Sequence, residues 1–184
     1  MKLIYKDKEI VLKNKERCIL RSPNEQEAEK LINYMKKVSN ESHFLVRYPE
    51  EVNFTILQEK QIINSIRRSD KDIMISVFID NDIVANLGIN CVGDNFKTKH
   101  RCSLGIAIIK KYQGLGLGNI LIDEAVQFAR YIGYEQIELG VFEDNIKARN
   151  LYHKHGFEVW GKNKNGFKLK NNTYKDDIIM GKFL

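Results

Sequence analysis

Apolar residues recur along this chain with two different periods, and the points where the period changes mark its elements. Ala28, Leu31, Ile32, Met35 and Val38 fall at helical spacing. The preceding SPNE at 22–25 predicts where that helix begins: Ser22 as N-cap, Pro23 at the first helical position, Glu25 closing a capping box. Thr55 and Gln58 form a second capping-box pair ahead of Ile62, Ile63 and Ile66. Beyond them the pattern turns β-like. DIMISVFID and DIVANLGIN flank the turn signal DND at 80–82, which predicts a hairpin. CSLGIAII at 102–109 is nearly all apolar, as in a central strand covered on both faces.

After a glycine-rich stretch, Leu117, Leu121, Ala125, Phe128 and Ile132 make the apolar stripe of another helix. QIELGV at 136–141 reads as a strand and NIKARNLYHKHG at 145–156 as a short helix ended by glycine. FEVWGK and TYKDDIIMGKFL read as strands around a polar NKNG turn. At the N-terminus, residues 2–12 alternate loosely around KDK and predict a terminal hairpin, with CILR at 18–21 a short strand. The order is roughly β-α-α-β-β-β-α-β-α-β-β, a mixed α/β arrangement with much hairpin pairing.

Composition narrows the setting. A chain of 184 residues suits one domain with a core that needs no metal or disulfide. Three cysteines without a C-x-x-C pair point to free thiols in a reducing compartment. The N-terminus has no signal-type apolar core, and no apolar run nears the ~18 residues of a membrane span. A cytoplasmic protein is expected, without a membrane partner. The net charge of +6 would suit an anionic partner, but the basic residues are scattered. Without a basic patch interleaved with aromatics, no specific nucleic-acid binding is expected.

The chemistry concentrates at Gln113-Gly114-Leu115-Gly116-Leu117-Gly118, followed by Asn119. A glycine turn opening a helix makes an anion site: first-turn N–H groups lack helical acceptors, the helix end is electropositive, and glycines let a phosphate approach the backbone. A P-loop would need a Lys-Ser/Thr pair that is absent. A dinucleotide fingerprint would put its third glycine where Asn119 stands, although Glu138 lies about twenty residues on. A purely structural glycine turn is the plain alternative.

The stretch from Gln113 to Gly118 resembles the Q/R-x-x-G-x-G/A signature of the GCN5-related N-acetyltransferases. NIKARNLYHKHGF resembles the N-x-x-A-x-x-L-Y-x-x-x-G-F segment of that superfamily at Asn145, Ala148, Leu151, Tyr152, Gly156 and Phe157. GIAIIKKYQG resembles its preceding central strand. The resemblance implies a single acetyltransferase domain over 1–184. It would have a central, mostly antiparallel sheet, helices on both faces, and residues 2–12 as an addition to the usual core.

The resemblance also implies acetyl-CoA as cosubstrate and a primary amine, small-molecule or peptide, as acceptor. Main-chain N–H groups of Gly114, Leu115, Gly116, Leu117, Gly118 and Asn119 would hold the pyrophosphate, with Gln113 also among the cofactor-binding residues. Backbone groups of Ile106 and Ile108 would meet the pantetheine and polarise the thioester. Asn145, Ala148 and Tyr152 fall at i, i+3 and i+7, along one helix face. Tyr152 would give its proton to the leaving thiolate, and no cysteine in these motifs suggests an acyl-enzyme.

The proton acceptor is less legible. Some protein N-acetyltransferases of the superfamily carry a glutamate one residue before the valine of the strand preceding Asn145, and here that position is Gly140. Glu138, on the same strand face, is the candidate base, ahead of His100, Asn86 and Glu143. The rival function is a non-catalytic acyl-CoA-binding regulatory domain. His100, Cys102, His153 and His155 match no common zinc spacing, so no metal is expected. Acceptor walls would come from 42–54 and from KNKNGFKLKNNTY, and the polar C-terminal strands could support a homodimer.

Overall fold

A computed structural model describes residues 2–184. Contacts divide the chain into two units that interleave in sequence. The first takes residues up to Asn90 together with Gly105–Leu121, and the second takes Cys91–Leu104 and Ile122–Leu184.

In the first unit, β1 (Lys8–Val11), β2 (Arg17–Arg21), β3 (Ile73–Ile79) and β4 (Asp82–Cys91, up to Asn90) pair antiparallel in sequence order. The N-terminal hairpin therefore exists, but its arms are 8–11 and 17–21 rather than both lying within 2–12. The KDK charges impose no turn geometry. The turn forms where Lys15 takes a left-handed conformation (φ 69°) and the Asn14 side chain accepts the Glu16 N–H at 3.2 Å. The expected hairpin between β3 and β4 forms, with Asp80 and Asn81, both at positive φ, as its two-residue loop and Asp82 already in β4.

The helix α1 (Ala28–Glu41) follows a 3-10 turn at Glu25–Glu27 whose N-cap is Asn24, not Ser22. Ser22 is taken elsewhere: its hydroxyl oxygen accepts the Tyr5 N–H at 3.0 Å. Asn24 and Glu27 form the capping box instead, with Glu27 also held by the Arg21 guanidinium. The helix α2 (Ile56–Arg68) starts at the predicted Thr55–Gln58 box. Ala28, Leu31, Tyr34 and Val38 of α1 pack with Ile63, Phe78, Ile83 and Ile109 in the core of this unit.

In the second unit, β5 (Arg101–Ile108, up to Leu104) pairs parallel with β6 (Gln136–Phe142) through Arg101, Cys102 and Ser103. β6 pairs antiparallel with β8 (Tyr174–Phe183), and β8 with β7 (Glu158–Lys168). The helix α3 (Leu117–Ile132) enters the unit at Ile122, and α4 (Ile146–Lys154) follows β6. The NKNG segment is not the turn between the last two strands. It lies inside β7 as an irregularity with Asn165 at φ 57°, its N–H accepted by an Asp176 carboxylate oxygen at 2.8 Å. The chain reverses farther on, between Leu169 and Thr173.

Eight strands, mostly antiparallel, and four α-helices are thus present among the described residues, a mixed α/β fold of the expected class. One expectation about β5 changes. Cys102 and Leu104 are buried, but Gly105 is exposed and Ile106, Ala107 and Ile108 are partly exposed, so the strand is not covered along its whole length.

Candidate functional site

The glycine stretch takes the conformation that its residues allow and others resist. Gly114 and Gly116 sit at φ 80° and 93°, in the left-handed region where a β-carbon is strained. A β-carbon on Gly114 would meet nothing within 4 Å, so the backbone there is open to a ligand. The loop runs directly into α3. Leu117 and Gly118 belong to the first turn, whose N–H groups have no acceptor within the helix. Asn119 N–H already bonds the Gly116 carbonyl at 3.1 Å. A sixteen-residue helix then aligns its peptide dipoles behind this end.

Side chains fix the strand end that leads into the loop. Gln113 donates through Nε2 to the Ile108 carbonyl at 3.0 Å. The Tyr34 hydroxyl donates to the Ala107 carbonyl at 2.6 Å, and the Ile109 N–H goes to Val84 at 3.0 Å. Peptide groups alternate in direction along a strand, so Ile106 and Ile108 present theirs to one side and Ala107 to the other. Glu41 accepts the Lys110 N–H at 2.7 Å, securing the turn that follows.

Two contributors here escaped the sequence reading. Tyr34 is buried, and burial pushes its phenol far above the ordinary range. It stands three residues after Leu31 and four before Val38, on the face that packs into the core, but its bond to the Ala107 carbonyl emerges only once α1 meets β5. Lys13 belongs to the turn between β1 and β2. Its side chain runs past the loop, so that a β-carbon on Gly116 would stand 3.6 Å from Lys13 Cε.

In the second unit, Asn145 caps α4 by accepting the Ala148 N–H through its side chain at 3.2 Å. Asn145, Ala148 and Tyr152 are each partly exposed. The Tyr152 ring tilts against Phe157, with centroids 5.8 Å apart. Its surroundings are dry enough that burial pushes the phenol up to about 12. The phenol is thus fully protonated at neutral pH, a state it needs if it is to donate. Of the basic residues on α4, Arg149 turns back to the Glu143 carbonyl at 2.8 Å. His153 and His155 face Phe157 O and Asp123 at 3.0 and 2.9 Å.

Glu138 does share a strand face with Gly140, as the register of β6 on β8 shows. It is engaged there. Its Oε2 accepts from Arg101 Nε at 3.1 Å and Nη2 at 2.6 Å. The lone pairs a base would use on that oxygen are committed to a guanidinium. Asn86 accepts from the Ser76 hydroxyl at 2.8 Å, and Glu143 accepts the Asp176 N–H at 3.3 Å. Gly140 itself faces a carboxylate: a β-carbon there would lie 2.7 Å from Asp177 Oδ1.

The family model described as the acetyltransferase (GNAT) family matches residues 30–157. An L-amino acid N-acetyltransferase of Escherichia coli (strain K12), AaaT, is 31% identical over 105 residues, which are 56% of this chain and 64% of that protein. The match thus spans less than two thirds of that relative. The solved acetyltransferase of the GNAT family from Streptococcus pneumoniae is similar at a TM-score of 0.86 and 26% identity, covering 91% of this chain and 99% of that one. The structure of yncA from Salmonella typhimurium with its cofactor acetyl-CoA gives 0.78 at 13% identity, covering 91% and 94%. At that identity the likeness is one of fold.

Proposed function

From the membership of this chain in the acetyltransferase (GNAT) family, we propose that it transfers an acetyl group from acetyl-CoA to a primary amine by direct attack in a ternary complex. The observation that carries this reading is the glycine loop. Two left-handed glycines, open space at Gly114 and the first turn of α3 fit a pyrophosphate. Acetyl-CoA supplies the activated acyl group as a thioester. The N–H groups of Gly114, Leu115, Gly116, Leu117 and Gly118 bind its diphosphate. Those of Ile106 and Ile108 lie past Ser103, the last β5 residue on the ladder to β6. They serve the pantetheine arm and the thioester oxygen, where one such donor is worth about 3 kcal/mol of barrier.

Asn145 and Ala148 give α4 a capped start and a small side chain beside the extended arm. Tyr152 protonates the departing sulfur. With its phenol near 12 and a free thiol near 8.5, the transfer is uphill by about 5 kcal/mol unless it is concerted with C–S cleavage. Concerted donation by a fully protonated phenol is therefore the form of acid catalysis assigned here.

The name of the Escherichia coli relative makes the α-amine of an amino acid the first acceptor to test. Such an amine, with a pKa near 8, costs about 1.4 kcal/mol to deprotonate at neutral pH, against about 4.6 for a lysine-type amine. The engaged state of Glu138 favours the cheaper substrate. It also keeps a second reading in play, that of a domain which binds acyl-CoA without turnover.

Thermal unfolding with and without acetyl-CoA, with NAD as control, tests the first step. A ligand at 100 times its Kd stabilises by about 2.7 kcal/mol. That raises Tm by ~5–11 °C for a chain of this size. A rise with NAD and none with acetyl-CoA would overturn the loop assignment. Release of free coenzyme A on adding amino acids then separates catalysis from binding alone.

A further inference from the structure

We propose that Asp177 is the proton acceptor of the transfer reaction, taking from the acceptor ammonium the proton that position 140, a glycine, has no side chain to take. The inference rests on the acetyl-transfer reading above and adds to it the residue which that reading lacks.

The geometry is a carboxylate held between two glycines. Phe142 pairs with Asp177 and Gly140 with Ile179, so residues 138, 140 and 142 of β6 share a face with 177 and 179 of β8. The Asp177 side chain leans along that face toward Gly140. A β-carbon there would stand 2.7 Å from Oδ1 and 3.2 Å from Oδ2. From the other neighbouring strand, a β-carbon on Gly166 would stand 2.7 Å from the β-carbon of Asp177. Any larger residue at either position would push the aspartate aside. The carboxylate thus occupies the space that a longer acid on β6 would otherwise enter, and it comes from the adjacent strand.

Its bonding sets it apart from a structural carboxylate. Oδ1 is buried and has no hydrogen-bond partner among the described residues. A buried acceptor oxygen left unmatched is costly, and Oδ1 is the oxygen that lies toward Gly140. The nearby charges are engaged elsewhere. Lys162 of β7 is paired with Asp176, whose side chain alternates to the opposite face of β8. Lys175 is paired with Asp144, and Glu138 with Arg101. Burial raises the Asp177 carboxyl above the ordinary aspartate range, partly opposed by the Val141 N–H. The result is a more basic carboxylate, the direction a proton acceptor requires.

One ammonium proton passes to Asp177, and the freed lone pair forms the C–N bond to the acetyl carbon. The C–S bond breaks, and the Tyr152 phenol protonates the sulfur. The second amine proton, released as the amide forms, restores the phenol. Asp177 returns its proton to water.

The test compares wild type with Asp177→Asn, using acetyl-CoA and an α-amino acid acceptor over a range of pH. The variant should keep the acetyl-CoA-induced rise in Tm and lose about 10²–10⁴-fold in kcat/KM at neutral pH. The acid limb set by the carboxylate should give way to one set by the pKa of the amine. The deficit should shrink as pH passes the pKa of the amine, because substrate then arrives deprotonated. A purely structural role would not give this pH-dependent recovery. Wild-type turnover matched within threefold by Asp177→Asn, or a loss that is the same at every pH and leaves the wild-type acid limb in place, would overturn this inference alone. Wild-type protein that binds acetyl-CoA and acetylates no amine would overturn the proposed function and this inference with it.

Discussion

The main-chain N–H of Lys13 donates to the Leu115 carbonyl at 3.3 Å, tying the first hairpin turn to the glycine loop. The Lys13 side chain passes Gly116, so its charge belongs to the surroundings of the loop. Reversing that charge in Lys13→Glu should weaken acetyl-CoA binding about tenfold, a change of ~1.4 kcal/mol, at low salt. The difference should narrow at 0.5 M salt. Calorimetric titration at two ionic strengths would check it, and equal affinity at both would refute a role for the lysine.

Tyr152→Phe removes the proton and keeps the ring against Phe157. The expected outcome is a fall in kcat of about 10²–10⁴-fold with acetyl-CoA affinity changed less than threefold. Steady-state kinetics together with the Tm shift would separate the two quantities. Unchanged turnover would remove Tyr152 from the chemistry.

Glu59, on α2, is 2% exposed, and burial raises its carboxyl despite the opposing charge of Arg47. Its folded pKa thus lies above its unfolded one, and the folded state holds the proton over a wider range. Between those two values the stability contribution of Glu59 falls as pH rises. Glu59→Gln should raise Tm at pH 7 and have less effect at pH 4. Melting curves at the two pH values decide this, and the reverse order would contradict it.

Burial pushes the thiols of Cys18 and Cys102 up to about 11 and about 12. At pH 8 only about one in a thousand Cys18 thiols is ionised, and still fewer at Cys102. Cys91 is partly exposed and donates to the Gly93 carbonyl at 3.2 Å. A thiol-reactive dye should label one cysteine of the folded protein quickly and three after denaturation, with peptide mapping placing the first label at Cys91.

Local chemistry made much of this legible in the sequence. The Thr55 box needs only Gln58 three residues on, and the β3–β4 hairpin needs only two residues that tolerate positive φ. The glycine loop is likewise a contiguous signal. Where a side chain's partner is distant, the signal fails. Ser22 looks like an N-cap until Tyr5 claims its hydroxyl, seventeen residues earlier. NKNG looks like a turn until Asp176 holds Asn165 within a strand. Tyr34 and Asp177 act through pairings that no spacing announces. The position of Asp177 beside Gly140 follows from the register of β6 on β8, and from the absence of a side chain rather than the presence of one.

The interleaving of the two units has a consequence for how the chain can be made and cut. The first unit is incomplete until Leu121 has been synthesised, although β1 to β4 can pair as soon as Asn90 has emerged. No contiguous fragment contains either unit without part of the other. Within β5 the boundary falls between Leu104 and Gly105, so one backbone break there would interrupt both units at once. A nick in the polar 93–100 segment also divides both units in sequence, but it spares every strand and helix. Split versions of the protein that reassemble should therefore be sought at that loop and not within β5.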